Sequence, residues 1–185
     1  ETETTETFGF AQGDIFVEGN LGFDSTNNKN TETKTNGFDF NPKGGFFLSD
    51  DLAVGVELTV GSNKTEVAGT ETSKTTNFGA GVFARYYFLE LGKRFKTNVE
   101  FGVGFDSEKN GVTNAVTTSG VEANLGLGLN YFVKDNIAIT FGLSDLLSYS
   151  SMKADTDGAK NVSEFNANLN VLNNFFTDAQ FGLLF

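Results

Sequence analysis

Apolar side chains recur at every second position along most of this chain. Between Phe78 and Phe88 each even-numbered residue is apolar, whereas the odd-numbered residues include glycine, arginine and aromatic side chains. A period of two is typical of a β-strand, in which successive side chains point to opposite faces. The alternation returns elsewhere and predicts an all-β chain; the other stretches are 15–23, 52–60, 95–105, 121–131, 137–143 and 165–185.

The residues that the chain lacks exclude several kinds of chemistry. Its 185 residues, enough for one domain, include no cysteine and no histidine. Disulfides and thiolate chemistry are therefore impossible, and the commonest general base and metal ligand is missing. We expect no catalytic residues, no metal and no cofactor. The net charge of −11 argues against nucleic acid as a partner, because phosphates must be met by lysine and arginine.

The connections between the alternating stretches are short and long in turn. Four long connections and three short ones join eight strands, and they place both termini on the short-turn side. We predict an eight-stranded antiparallel up-and-down β-barrel. The short connections fall near 49–51, 90–93 and 134–136, and the long polar ones near 25–33, 62–73, 107–114 and 150–160.

The second face of the strands indicates which side of the barrel is apolar. That face is rich in glycine, which would weaken a solvated outer wall but makes room for large side chains inside a narrow barrel. We therefore predict a transmembrane barrel with its apolar face outward. Several strands have about the ten residues that a span requires, with aromatic residues at their ends. The predicted aromatic girdles contain Phe38, Phe47, Phe78, Tyr86, Phe88, Phe95, Phe105 and Tyr131.

Two places fit a regular barrel poorly. Pro42 lies inside a strand and cannot donate a ladder hydrogen bond, so we predict a bulge or break near 41–45. The last strand keeps one parity over the twenty-one residues 165–185, and we predict an irregularity at 173–178. Residues 1–12 are predicted to be an N-terminal periplasmic tail outside the wall, with Phe8 and Phe10 as candidates to tuck under it, and residues 13–185 to form the barrel.

Strand register predicts a charge network inside the barrel. A three-residue turn at 49–51 pairs residues whose numbers add to 100, which sets Lys43 opposite Glu57. A sum near 185 at the next hairpin sets Arg85 opposite Glu100. Buried charges need partners, so we predict that these four side chains pair in the lumen. Glu18, Glu122 and Lys96 are further candidates for the same network.

The hairpin motifs at 47–53 and 132–138 and the ending 180–185 carry a resemblance to a known family. The chain resembles the small outer-membrane β-barrel proteins, including the OmpA transmembrane domain, OmpX and the porin-like "outer membrane protein beta-barrel" family, and looks closest to versions from Bacteroidota. The resemblance implies a bacterial outer-membrane location with periplasmic termini and extracellular long loops. It also implies an assembly signal at Phe181, Leu183 and Phe185, read by the barrel-insertion machinery.

Three functions remain open at this point. The first is a structural or surface-interaction role with a lumen plugged by side chains, and the second is a narrow pore or small-solute transporter. The third is a soluble, secreted, lipocalin-like barrel that binds an apolar ligand. For the membrane readings we expect lipids (or detergent) and the assembly machinery as partners, and a monomer. Because no initiating methionine precedes Glu1, we expect the chain to be a processed or trimmed form.

Overall fold

A computed structural model describes residues 8–168 and 180–184, and all of their regular structure is β. No helix in this part of the chain is long and apolar enough to cross a membrane. Neighbouring strands are antiparallel throughout. The strands are β1 (Ile15–Asn28), β2 (Thr33–Ser49), β3 (Leu52–Val67), β4 (Thr70–Glu90), β5 (Phe95–Asn110), β6 (Val116–Lys134), β7 (Ile137–Ala154), β8 (Val162–Ala167) and β9 (Gln180–Leu184).

The strand pairings follow an up-and-down order around a ring. Each strand from β1 to β7 pairs with the next, and both β8 and β9 pair with β7, along different halves of it. β9 also pairs with β1, through Glu18↔Leu184 and Gly19↔Leu183. β8 and β9 lie along the same edge of β7, and among the described residues only the two pairs between β9 and β1 close the ring. The irregularity predicted at 173–178 lies outside the described residues.

The outward face of the wall is apolar and the inward face is polar or aromatic. Val56 and Val82 are 60% and 58% exposed, whereas Arg85 and Asn98 on the opposite face are buried. A soluble lipocalin-type barrel has the reverse arrangement, because its apolar residues line the ligand cavity. The lipocalin-like hypothesis is therefore wrong. An apolar surface of this extent belongs in lipid.

The height of this apolar face matches a bilayer. Phe78 to Phe88 and Phe95 to Phe105 each span ten residue steps. Ten steps at about 3.3 Å, tilted by about 40°, rise about 25 Å, which is the height of the apolar band of such barrels. Two outward aromatic pairs mark its edges, with ring centroids 5.3 Å apart for Phe23 and Phe38 and 4.7 Å apart for Phe95 and Tyr131.

One predicted girdle residue points the other way. Phe47 is fully buried inside the barrel, and its neighbour Phe46, 43% exposed, is the outward residue. The reason is parity: Phe46 pairs with outward Val54, and Phe47 pairs with inward Ala53. The prediction for Phe47 was wrong. The other seven girdle residues lie on the outward parity of their strands.

The strands continue well beyond the apolar band at one end, which we call the hairpin end. β3 and β4 are paired up to Val67↔Thr70, so only Ala68 and Gly69 link them. Both have positive φ, 49° and 77°, as a tight two-residue hairpin turn requires. The predicted long loops are therefore mostly paired strand, and the unpaired links are only 29–32, 68–69, 111–115 and 155–161. At the opposite, short-turn end the links are 50–51, 91–94 and 135–136.

Of the bulge or break predicted at 41–45, Pro42 produces a break in one ladder and no bulge. The β1–β2 register continues unbroken through Gly19↔Pro42. On the β3 side the ladder passes from Phe40↔Val60 to Lys43↔Glu57, and both pairs add to 100. Pairing lapses at residues 41 and 42 without a register shift, because proline has no N–H to donate.

Candidate functional site: the barrel lumen

Arg85 is the centre of the charged groups in the lumen. Its side chain projects inward from β4 and is almost fully buried. Nε donates to Glu100 Oε2 of the neighbouring strand β5 at 2.7 Å, and one terminal nitrogen donates to Glu18 Oε2 at 2.8 Å. The other terminal nitrogen donates to Glu18 Oε1. Glu18 lies on β1, three strands away, so this two-pronged contact crosses the lumen.

Lys43 on β2 completes the set. Its ammonium lies 2.7 Å from Glu57 Oε2 on β3 and 2.6 Å from Glu100 Oε1 on β5. Glu100 thus bridges the two cations, and the Lys43–Glu100 contact also crosses the lumen. We call Glu18, Lys43, Glu57, Arg85 and Glu100 the charge network. It has three carboxylates and two cations, contributed by five different strands.

The register pairs on which the prediction rested are present. Lys43 is the partner of Glu57, and Arg85 is the partner of Glu100. Lys96, a further candidate, forms its ion pair with Glu90 at the short-turn end, because its position on β5 places it below the network. Glu122, the other candidate, lines the same cavity as the network residues.

Aromatic rings pack directly beneath the charge network. The Arg85 guanidinium carbon lies 5.4 Å from the ring centroids of both Phe16 and Phe83, and Lys43 Nζ lies 5.2 Å from that of Phe83. Such contacts stabilise a desolvated cation. Together with alanines 53 and 138, the rings form the buried core at the short-turn end. We call Phe16, Phe47, Phe83, Tyr87 and Phe132 the aromatic floor.

The N-terminal segment lies against this floor. The Phe10 ring stacks on Phe47 with centroids 4.2 Å apart, and it also contacts Tyr87 and Phe132 at 4.9 and 5.2 Å. Gly13 N donates to the Phe47 carbonyl at 2.9 Å. The residues before β1 thus tuck under the wall. The division between a tail at 1–12 and a barrel at 13–185 stays a prediction.

A cavity of about 370 Å³ lies along the inner face beside the charge network. Five of its twenty lining residues are asparagines, and Asn98 Nδ2 donates to Asn130 Oδ1 at 2.8 Å. Asn130 Nδ2 is buried and has no hydrogen-bond partner within the described protein. A polar space of this size is suited to water or a small polar solute. These asparagines are not among the predicted site residues, although their inward parity could have identified them; they are Asn20, Asn41, Asn98, Asn124 and Asn130.

The charged groups of the lumen pair with one another and line a space that water can fill. In the described ranges, no group of three or more aspartate and glutamate side chains is placed to hold a metal ion. Of the assembly-signal residues, Phe181 and Leu183 lie on β9 opposite Phe141 and Ile139. Phe185 lies outside the described residues, and the signal itself stays a prediction.

Known proteins share this architecture. The structure is similar to the outer membrane protein OprG from Pseudomonas aeruginosa (14% identity, 96% of this chain and 98% of that chain, TM-score 0.53). It is also similar to Neisserial surface protein A (13% identity, 92% and 95%, TM-score 0.50). At these identities the likeness concerns the fold alone.

Sequence comparison supplies the family. Curated proteins give no significant match. A family model, described as "Outer membrane protein beta-barrel domain", matches residues 7–175, which is nearly the whole chain. The chain therefore belongs to the outer membrane protein β-barrel family of the bacterial outer membrane.

Proposed function

We propose that this protein is a monomeric outer-membrane barrel whose lumen is plugged by side chains and whose role is structural or surface-interacting. Its hairpin end would lie outside the cell and its termini in the periplasm. Its partners would be outer-membrane lipids, with the barrel-assembly machinery during biogenesis. We assign it no catalytic role.

The charge network is the observation that carries this proposal. Arg85 binds Glu18 across the lumen while it also binds Glu100 beside it. Lys43 makes a second crossing to Glu100. An eight-stranded barrel has an interior just wide enough for side chains to fill. Paired charges at this depth occupy the path that a permeating ion would need.

The aromatic floor supports the same proposal independently. Phe47 and Phe132 are fully buried at the short-turn end, and the Phe10 ring of the segment before β1 packs against both of them. A solute would meet this apolar layer after the charged one. The charged layer and the apolar layer together would block a continuous water path through the lumen.

The orientation follows from the form of the two ends. Barrels of this kind have short periplasmic turns and longer extracellular connections. Here the short-turn end has links of two to four residues, and the hairpin end carries the strand extensions. Protease digestion of intact cells would test this, since an insertion at 68–69 should be cut and one at 135–136 should not.

Single-channel recording in planar bilayers tests the plug. We expect no current above leak from protein whose insertion is verified by a heat-dependent shift on gels. As a matched pair, Arg85→Ala removes the central cation and Lys29→Ala removes an exposed one. Because the aromatic floor remains in the Arg85 variant, both single variants should stay closed, and current should appear only when Arg85→Ala is combined with Phe47→Ala and Phe132→Ala. Steady conductance by the unaltered protein would overturn the proposal.

A narrow pore is the second candidate, and the polar cavity favours it. A volume of about 370 Å³ lined by amides and carboxylates could hold several waters or a small solute. A pore requires that the charge network rearranges to let ions pass. Discrete current steps in the same recordings would favour this function over the plugged barrel.

A further inference from the structure

The outward face at the hairpin end repeats one pattern on five strands. On each of these strands an apolar or aromatic residue ends the apolar band. Two residues closer to the hairpin tip the outward side chain is serine, threonine or asparagine, and four residues closer it is lysine. On β4, for example, the series is Phe78, Thr76 and Lys74. The other four series are Phe38, Asn36, Lys34; Val60, Ser62, Lys64; Phe105, Ser107, Lys109; and Tyr149, Ser151, Lys153.

Register places these lysines side by side around the barrel. Lys64 and Lys74 are direct partners on β3 and β4. Lys109 is opposite Thr76, two residues from Lys74, and Lys153 is opposite Ser119 on β6. Small steps of this kind are expected from strand tilt. We call Lys34, Lys64, Lys74, Lys109 and Lys153 the lysine row.

The row stands out against the charge of the chain. The protein carries a net charge of −11, and like charges directly opposite each other on neighbouring strands destabilise a sheet. Lys64 is held by Glu66 and Glu71 at 2.7 and 2.9 Å. Its four companions are exposed. Only Lys64 and Lys74 set like charges opposite each other, since Lys34 is opposite Glu66. The five lysines nevertheless share one level of the outward face.

The level of the row suggests what it meets. Four residue steps beyond the apolar band, at about 3.3 Å each and tilted, place the ammonium groups about 10 Å past the hydrocarbon edge. Lipid phosphates lie in this headgroup zone, and lysine side chains extend readily into it. The hydroxyl and amide residues between band and row supply further hydrogen-bond donors.

We propose that the lysine row binds the phosphate groups of phosphorylated lipid headgroups in the outer leaflet. The inference rests on the membrane placement and orientation proposed above. It does not depend on whether the lumen conducts. The row would fix the depth and rotation of the barrel in its membrane through several weak, salt-sensitive contacts rather than one tight site.

A binding measurement on folded protein in neutral detergent tests this. The probe is immobilised lipopolysaccharide, with the same glycolipid after chemical dephosphorylation as reference. The test variant changes Lys34, Lys74, Lys109 and Lys153 together to glutamine. The matched control changes four exposed lysines off the row, namely Lys29, Lys93, Lys134 and Lys160, so both variants lose the same charge.

We expect the row variant to bind the phosphorylated lipid at least about tenfold more weakly, and the control to stay within about twofold of the unaltered protein. Equal losses in both variants would mean that only net charge matters and would overturn the proposal. So would unchanged binding by the row variant, or equal binding of the dephosphorylated lipid. Displacement by free inorganic phosphate at matched concentration would identify a phosphate-ion site instead. Because folding and conductance are measured separately, failure here leaves the plugged barrel standing.

Discussion

Glycine makes room for large rings on the inner wall. A Cβ added at Gly45 would overlap the end of the Phe16 ring, and one added at Gly55 would lie 2.6 Å from Phe83 Cζ. Real side chains do not approach so closely. The inner face therefore alternates absent and bulky side chains, which is how a narrow barrel fills its interior without strain.

Gly45→Ala should lower the free energy of unfolding by about 1–3 kcal/mol, because the new methyl group overpacks against Phe16. Gly44→Ala is the control, since its Cβ would meet nothing nearer than 4.0 Å. Urea unfolding in detergent micelles measures both. Adding Phe16→Leu to the Gly45 variant should recover part of the loss. Equal stability of the two alanine variants would contradict this account.

Arg85→Met should lower the free energy of unfolding by about 3–5 kcal/mol, because it leaves Glu18 without its cation in a buried site. This loss is larger than that expected for Gly45→Ala. The double variant Glu18→Gln/Arg85→Met removes both members of that pair. We expect it to unfold at a higher urea concentration than the single Arg85 variant. If the double variant is less stable than the single one, packing rather than charge pairing explains the role of Arg85.

At the scale of strands and hairpins, turn geometry decided what could be predicted. A constant sum of residue numbers along each hairpin places Lys43 opposite Glu57 and Arg85 opposite Glu100, although each ladder shifts by one residue close to its turn. The strand extensions could not be predicted, because 62–66 and 70–76 are polar on both faces and show no alternation. Phe47 was misplaced because two adjacent aromatic residues leave the parity ambiguous. The crossing from Arg85 to Glu18 joins distant strands, and no local register rule predicts it.

The β3–β4 hairpin carries a pH-dependent contact outside the membrane band. A hydrogen bond from Lys64, and then its charge, hold the pKa of Glu66 below the ordinary value of 4.5. A lowered carboxyl pKa means that the contact is fully present above 4.5 and is lost as the pH falls through the lowered value. Carbon NMR titration of Glu66 should show a midpoint below 4.5. Lys64→Gln should raise that midpoint and Lys160→Gln should leave it unchanged; a midpoint insensitive to Lys64 would contradict the assignment.

At the scale of the whole molecule, the segment that precedes β1 packs against the aromatic floor at the short-turn end of the barrel. Phe10 bridges rings from β2, β4 and β6, and the backbone of residue 13 bonds to β2. The segment thus ties together strands that are not neighbours. The charge network also connects strands that are not neighbours, at mid-height in the barrel. One set of contacts is aromatic and the other is ionic, and both stabilise the same barrel.

Phe10→Ala should lower the free energy of unfolding by about 1.5–3 kcal/mol, because a partly buried ring loses its apolar contacts. Val112→Ala, in the exposed link at 111–115, serves as the control and should have little effect. Both are followed by urea unfolding and by the heat-dependent gel shift. An unaltered unfolding curve for the Phe10 variant would mean that the segment does not dock against the floor.

The pairing of β3 and β4 up to Val67↔Thr70 has a consequence for recognition. A flexible loop must be ordered when something binds it, and the entropy lost in that ordering weakens the complex. Here the backbone is already fixed by its ladder to within two residues of the tip. The β3–β4 hairpin therefore presents a rigid surface, so its selectivity among binding molecules should depend on complementary shape rather than on conformational adaptation.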